Sequence, residues 1–202
     1  MSTGAALLVR RHIRFDETLE GGDDVELSWR VHARYEPAAI ADHDPIPLTR
    51  RIAYGRHAAA LARRHPVHAG TLDISPWSAA AWAALAAGRP RLALALTGLA
   101  TALLDDPQRL RIAGLGTLQA GKAIAEALTT AYAPLAPLAP KPFAAAALLR
   151  ARQLPEDLAY GAGLWLGCLE QRDLRALKPR LGWTMTRLSA DDLIDRSSIT
   201  LT

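Results

Sequence analysis

Two adjacent carboxylates, Asp23 and Asp24, follow a Gly-Gly pair and precede a short amphipathic run. Backbone N–H groups at a helix N-terminus can hold such carboxylates ionised, which is the state that a general base requires. The same pattern is also typical of an ordinary N-cap. On these residues alone, a proton-abstracting site and a structural cap both remain open.

A second group of residues with chemical potential is the basic segment 49–64, which includes Arg50, Arg51 and Arg56. Planar guanidinium groups bind diphosphate oxygens in pairs, so the segment could hold a nucleotide diphosphate. A solvated or membrane-facing basic surface is an equally good interpretation of any single arginine. We expect no nucleic-acid binding, because the arginines lack interleaved aromatic residues and a recognisable reading motif.

The secondary structure that holds these groups in place is predicted to be mostly helical. Half of the chain is hydrophobic but only 5% is aromatic, so the bulk is Ala and Leu, which favour helices. In the first helix we expect Val25, Leu27 and Trp29 to be buried and Glu26 and Arg30 to face outward. The predicted helices are 25–31, 49–64, 110–132, 143–153 and 155–174, with strands at 3–9 and 34–41, a linker at 65–73 and a loose tail from 181.

Residues 77–104 form the most apolar region, and Arg89-Pro90-Arg91 divides it into two halves. Each half is shorter than the roughly 20 residues that span a bilayer. Glycine is typical just after a helix ends and proline is typical where a helix begins, so Gly88 and Pro90 mark a break between two helices. The sequence predicts a helical hairpin that is buried, re-entrant or interfacial. The following helix is predicted to be amphipathic around Leu118, Ile124 and Leu128.

The chain has one cysteine, Cys168, and so cannot form an internal disulfide. Its first residues have too short an apolar core for a signal peptide. These features predict a cytoplasmic location, peripheral or integral to the inner face of the membrane if the apolar hairpin enters it. Gly163 and Gly167 are spaced for one helix face and predict a close helix contact.

Read with its flanks, the acidic stretch resembles the acceptor-side motif of family 2 glycosyltransferases. The elements that carry the resemblance keep the family's order and spacing: Phe15-Asp16-Glu17, Gly22-Asp23-Asp24, Val25-Glu26-Leu27, Arg30, Arg34-Tyr35-Glu36-Pro37 and His43.

The downstream half is most similar to the mycofactocin-system glycosyltransferases. The stretches concerned are Tyr54-Gly55, Ala58 to Pro66, Ser75-Pro76-Trp77 through Trp82, Gly88-Arg89-Pro90 and Asp157 to Leu169. The resemblance extends over nearly the whole chain and matches the C-terminal part of such an enzyme.

The resemblance implies a role for each candidate residue. Asp24 would be the catalytic base and Asp23 would help to place the acceptor. His43 would supply one ligand to a divalent Mg or Mn ion that is bound with the sugar-nucleotide donor. The residues implied in diphosphate or substrate binding are Arg50, Arg51, Arg56 and Tyr54.

The resemblance also implies the fold class and the substrates. The chain would be mostly α, with residues 1–68 as the C-terminal remnant of a GT-A α/β domain and residues 69–202 as an Ala/Leu-rich helical region. A complete relative would transfer glucose from a sugar nucleotide to mycofactocin or its precursor, a peptide-derived acceptor. Because the family's nucleotide-binding strands precede this motif, we expect the chain alone not to turn over sugar nucleotide.

An alternative function belongs to a different class. The basic segment and the apolar hairpin are also typical of a non-catalytic helical module that binds anionic lipid at a membrane surface.

Overall fold

A computed structural model of the chain describes residues 13–31, 46–66, 68, 70–104 and 107–182. This described part is mostly helical, as predicted, with seven α-helices and two short strands. The elements are α1 (Asp23–Arg30), α2 (Leu48–Arg64), β1 (Leu72–Ile74), α3 (Pro76–Ala86), α4 (Pro90–Leu103), α5 (Arg109–Thr129), α6 (Pro140–Leu149), α7 (Leu154–Gln171) and β2 (Pro179–Leu181), with 3₁₀ turns at Ala133–Leu138 and Arg175–Leu177.

The closest helix packing in the described part joins α2 to α7. Glycines allow the two backbones to approach: Gly163 lies against the carbonyl of Ile52, Gly167 against that of Arg56, and Gly55 against that of Tyr160. A Cβ atom at any of the three would meet backbone atoms of the partner helix. The predicted contact ridge at Gly163 and Gly167 is therefore confirmed, and Gly55 supplies its complement on α2.

The α2–α7 contact also organises the main buried cluster, which draws on segments far apart in the sequence. All of its members except Leu164 are small, which is why the helices can pack so closely. They are Ala59, Ala62, Ala131, Leu164, Cys168 and Ala176. Residues on both sides of the predicted boundary at 68 contribute to this cluster, and the division into two domains stays a prediction.

The predicted hairpin is confirmed as α3 and α4. The chain turns at Gly88, whose φ of 70° favours glycine, and Pro90 opens α4. Ala81, Ala84 and Ala93 form a small buried cluster between the two helices. No helix in the described ranges is long and apolar enough to cross a membrane.

Strands β1 and β2 pair in parallel, with Leu72 opposite Pro179 and Ile74 opposite Leu181. The prediction of a linker at 65–73 and a loose tail from 181 missed this pair. Three residues are too few to show a strand's alternation, and the partners lie about a hundred positions apart along the sequence. The pair connects the segment that follows α2 to the segment that follows α7.

One helix boundary and one burial pattern also differ from those predicted. Helix α6 begins at Pro140 rather than at 143, because proline is tolerated in the first helical turn. In α5 Leu118 is 61% exposed, whereas Ala120, Ala125 and Ala127 are buried. The predicted strands 3–9 and 34–41 lie outside the described residues, so the GT-A origin of the first domain stays a prediction.

Candidate functional site

The acidic stretch folds as a closed loop that runs from Arg14 into α1. Arg30 at the end of α1 donates from Nη2 to the carbonyl of Arg14 at 2.6 Å. Within the loop, the Leu19 N–H donates to the Asp16 carbonyl at 3.1 Å. The Thr18 N–H donates to the Asp16 carboxylate at 2.9 Å. Hydrogen bonds that lie entirely within the segment 14–30 thus hold both ends of the stretch.

An ion pair and two glycines fix this loop to α2. Asp16 accepts a 2.7 Å bond from Arg64. Gly21 lies against the ring of His57, and Gly22 lies against Leu61. A side chain at either glycine would collide with these groups, and Gly22 also has a φ of 78°. The Gly-Gly pair therefore brings the start of α1 directly onto one face of α2.

The two candidate carboxylates occupy the first two positions of α1. The N-cap residue is Gly22, and no side chain caps the helix through a hydrogen bond. Neither Asp23 nor Asp24 is therefore the N-cap residue, which is the role they would have in an ordinary structural cap. They lie where the helix dipole favours negative charge. Both are partly exposed.

Glu26 is buried, contrary to the expectation that it faces outward. It is 4% exposed, and its carboxylate accepts from Arg30 Nε at 3.1 Å. His65 Nε2 lies 3.6 Å from the same carboxylate. The burial is possible because these partners replace water around the charge. Arg30 is the i+4 neighbour of Glu26 on the same helix, but helical periodicity does not identify His65.

Trp29 links α1 to the chain that follows α2. Its ring stacks on His68 with centroids 5.6 Å apart and meets His65 edge-on at 6.0 Å. Trp29 is half-buried rather than fully buried. The aromatic contact and the Glu26 pair together hold the acidic helix in one position on α2.

One face of α2 extends from the candidate diphosphate residues to the acidic turn, which is Gly22-Asp23-Asp24. Arg50, Tyr54, His57 and Leu61 follow one another at intervals of three and four residues and so share a helix face. His57 and Leu61 contact the Gly-Gly pair, and Arg50 lies about 10 Å further along the helix by its rise per residue. Arg50 and Tyr54 are exposed. We refer to Arg50, Tyr54 and His57 as the α2 stripe.

His57 is a residue of this site that sequence reasoning missed. Its Nδ1 is buried and has no hydrogen-bond partner within the described ranges. The spacing of three residues from Tyr54 and seven from Arg50 was a signal that could have identified it.

Arg51 and Arg56, in contrast, are directed at α7. Arg51 pairs with Glu156 at 2.5 Å, and Arg56 pairs with Glu170 at 2.6 Å. Both pairs are substantially exposed, so each contributes little stability by itself. The structure thus separates the four predicted diphosphate residues into two that share the face of the acidic turn and two that bridge α2 to α7.

The predicted metal ligand, His43, lies outside the described residues. Among the residues that are described, no group of three or more His, Cys, Asp or Glu side chains is arranged to hold a metal ion. The metal role of His43 stays a prediction.

Comparison with known proteins gives sequence relatives but no structural ones. No protein-family profile matches the chain, and no solved structure does. The pre-mycofactocin glycosyltransferases from two strains of Mycobacterium tuberculosis are each 30% identical to it over an alignment 225 positions long. The match includes 83% of this chain and 47% of each relative, so the chain spans about half the length of the curated relatives it matches. The resemblance predicted from the motifs is thereby confirmed: over most of its length this chain is a homologue of the pre-mycofactocin glycosyltransferases.

Proposed function

We propose that this chain supplies the acceptor side of an inverting glycosyl transfer, with Asp24 as the general base. The observation that carries the proposal is the contact of Gly21 and Gly22, which precede Asp23 and Asp24, with the face of α2 that presents Arg50 and Tyr54. This contact supports the assignment of a carboxylate and a cation to one site. Homology to a transferase over 83% of the chain supports the reaction type.

The proposed chemistry follows from the two groups. Asp24 takes the proton from an acceptor hydroxyl as its oxygen forms a bond to the anomeric carbon of the sugar, and the bond to the diphosphate breaks. Negative charge then accumulates on the leaving diphosphate, where Arg50 and the Tyr54 hydroxyl can bind its oxygens. Asp23 helps to place the acceptor. We derive no step through a metal ion, because the described residues present no site for one.

The substrates in this proposal come from the relatives. Their name identifies a precursor of mycofactocin as the acceptor, and we extend that acceptor to this chain. The proposed donor is a sugar nucleotide with glucose as its sugar.

The role of Asp24 can be tested in a chimera. The chimera would carry this chain in place of the matched half of a Mycobacterium tuberculosis relative, and transfer from UDP-glucose to the peptide acceptor would be measured. Loss of a general base lowers kcat by about 10²- to 10⁴-fold, so Asp24→Asn is expected to lose activity on this scale with little change in KM. Glu20→Gln, which removes an exposed carboxylate from the same loop, is the control and should keep full activity.

Retention of kcat by Asp24→Asn in a folded, active chimera would show that another group accepts the proton. Arg50→Ala and Arg56→Ala give a matched comparison within the chimera. Arg50 lies on the α2 stripe and its loss should slow transfer, whereas Arg56 pairs with Glu170 and its loss should have the smaller effect.

We further predict that the chain by itself does not bind the donor tightly. Isothermal titration of the chain with UDP-glucose and Mn²⁺ should show no micromolar affinity, because the family's nucleotide-binding strands are expected to precede the acidic motif. Micromolar binding would refute the assignment of this chain to the acceptor side.

A second candidate function is association with an anionic membrane surface. Large apolar side chains are exposed along α4 and α5, with Leu94 at 75% and Leu110 at 76%, and Arg109 and Arg111 lie beside Leu110 in the first turn of α5. Apolar residues beside cations are typical of helices that lie in a membrane interface. Changing Leu94 and Leu110 to Gln should reduce co-sedimentation with anionic liposomes if this function holds, whereas Asp24→Asn should leave it unchanged.

A further inference from the structure

A cavity of about 390 Å³, open to solvent, lies where β1 runs into α3 and faces α5. Small-molecule sites have volumes of about 300–1,000 Å³, so this space is large enough for a ligand. Its lining has two chemically distinct parts, and none of the lining residues is basic. They are Asp73, Ile74, Ser75, Ser78, Gly116, Gln119, Ala120 and Ala123.

Two serines form one polar part of the lining. Ser75 is the N-cap of α3, and its Oγ accepts from the Ser78 N–H at 3.1 Å. The two hydroxyls lie 2.9 Å apart and share one hydrogen bond. Two hydroxyls have two protons, and one proton suffices for that bond. The other hydroxyl proton has no acceptor among the described residues. Ser78 is nevertheless buried, with only 7% of its surface exposed.

Asp73 and Gln119 add acceptors and donors at the opening, where both side chains are exposed. Asp73 supplies carboxylate oxygens, which accept hydrogen bonds only, and Gln119 supplies an amide, which both donates and accepts. Arg180 lies opposite Asp73 in the strand register, but its side chain packs against Gly70. Asp73 therefore gives the cavity mouth a negative charge, which disfavours anions.

The remaining wall is apolar and made of small groups. Ala120, Ala123 and Ile74 present methyl groups, and Gly116 leaves open space: a Cβ built there meets nothing within 4 Å. A ligand that fits this cavity needs several hydroxyl groups on one side and a C–H face on the other. It should carry no negative charge.

We propose that the cavity between β1, the start of α3 and α5 is a binding site for an uncharged, hydroxyl-rich ligand of the carbohydrate class. The vicinal hydroxyls of a sugar donate to Asp73 and accept from Gln119 and from the unused serine proton. The C–H face of the ring packs on the alanines. This site does not involve Asp23, Asp24 or the α2 stripe, so the proposal stands or fails independently of the proposed transfer reaction.

The glycines of α5 provide the decisive test. Gly116 lines the cavity, and Gly114 lies on the same helix outside it, and both have open space where a side chain would go. Gly116→Leu therefore fills the cavity, and Gly114→Leu is the matched control with the same change in helix propensity. Amide chemical shifts of the full chain would be followed by NMR during titration with methyl α-glucopyranoside and, in parallel, with glucose 1-phosphate.

We expect saturable shifts at Ser75, Ser78 and Gln119 with the neutral sugar at millimolar concentrations, and weaker binding of the phosphate. Gly116→Leu should abolish the response and Gly114→Leu should retain it. Gln119→Ala, a surface change that leaves the fold intact, should weaken binding several-fold. No saturable shift with the neutral sugar in the unmodified chain, equal binding by Gly116→Leu, or tighter binding of the phosphate would each overturn the proposal.

Discussion

Asp16 shows how a single residue couples the acidic loop to pH. Hydrogen bonds from Thr18 and the charges of Arg64 and Arg30 hold the pKa of Asp16 below its ordinary value of 3.8. A carboxyl whose pKa is lowered in the folded state contributes stability above its unfolded pKa, and this contribution is lost as pH falls through the folded pKa. The acidic loop is therefore expected to loosen from α2 only in strong acid.

We predict that Asp16→Asn weakens the docking of this loop at neutral pH and that the difference from the unmodified chain shrinks in strong acid, as the pH falls through the lowered pKa of Asp16. Hydrogen exchange of the α1 amides, measured at neutral pH and in strong acid, would report the change. Glu17→Gln, an exposed neighbour without such partners in the described part of the chain, should show no effect. An equal loss of protection at both pH values would contradict the assigned pKa direction.

Cys168 is a core residue and is fully buried. Burial raises the pKa of its thiol, and nearby Asp173 raises it further. Only the thiolate reacts as a nucleophile, so we predict that Cys168 resists alkylation by iodoacetamide at pH 8 in the folded chain and reacts fully in urea. Rapid modification of the folded chain would show that the α2–α7 contact opens.

At the scale of elements, the α2–α7 contact depends on glycine. We predict that Gly163→Ala destabilises the chain by about 1–3 kcal/mol, the usual cost of overpacking, because its methyl group would meet the Ile52 carbonyl. Gly98→Ala is the control. It lies in α4 with nothing near its Cβ position and should stabilise by about 0.5–1 kcal/mol. Urea denaturation of both variants measures the difference, and equal effects would contradict this account of the helix contact.

The helices themselves were predictable because their signals are local. Alanine and leucine favour helix throughout, and Gly88 with Pro90 marks the turn between α3 and α4. Which leucines are buried was not predictable. Leu118 fits an apolar stripe but is exposed, because the helices that pack on α5 contact its alanines.

At the scale of the whole molecule, a buried network joins α5, the segment after α6, and α7. Asp157 is 7% exposed, and it accepts from Arg150 at 2.5 and 2.8 Å and from the Thr129 hydroxyl at 2.7 Å. Removing one partner of a buried ion pair leaves the other charge uncompensated. This network therefore connects the C-terminal helix to the centre of the chain.

We predict that Asp157→Ala costs about 3–5 kcal/mol of unfolding free energy. The double variant with Arg150→Ala should cost less than the sum of the two single variants, because they share one interaction. Thermal and urea unfolding of the four proteins would complete this cycle. Additive losses would show that Asp157 and Arg150 act separately.

Spacing within single segments was enough to predict the helical class, the α3–α4 turn and the glycine ridge on α7, and motifs spread along the chain predicted the relationship to the glycosyltransferases. Four features became apparent only from the folded chain: the burial of Glu26, the pairing of Arg51 and Arg56 with α7, the face that Arg50 and Tyr54 share with the acidic turn, and the pairing of β1 with β2. Several of these depend on partners more than a hundred residues away. The periodicity of one segment does not show which distant side chains replace the water around its buried polar groups.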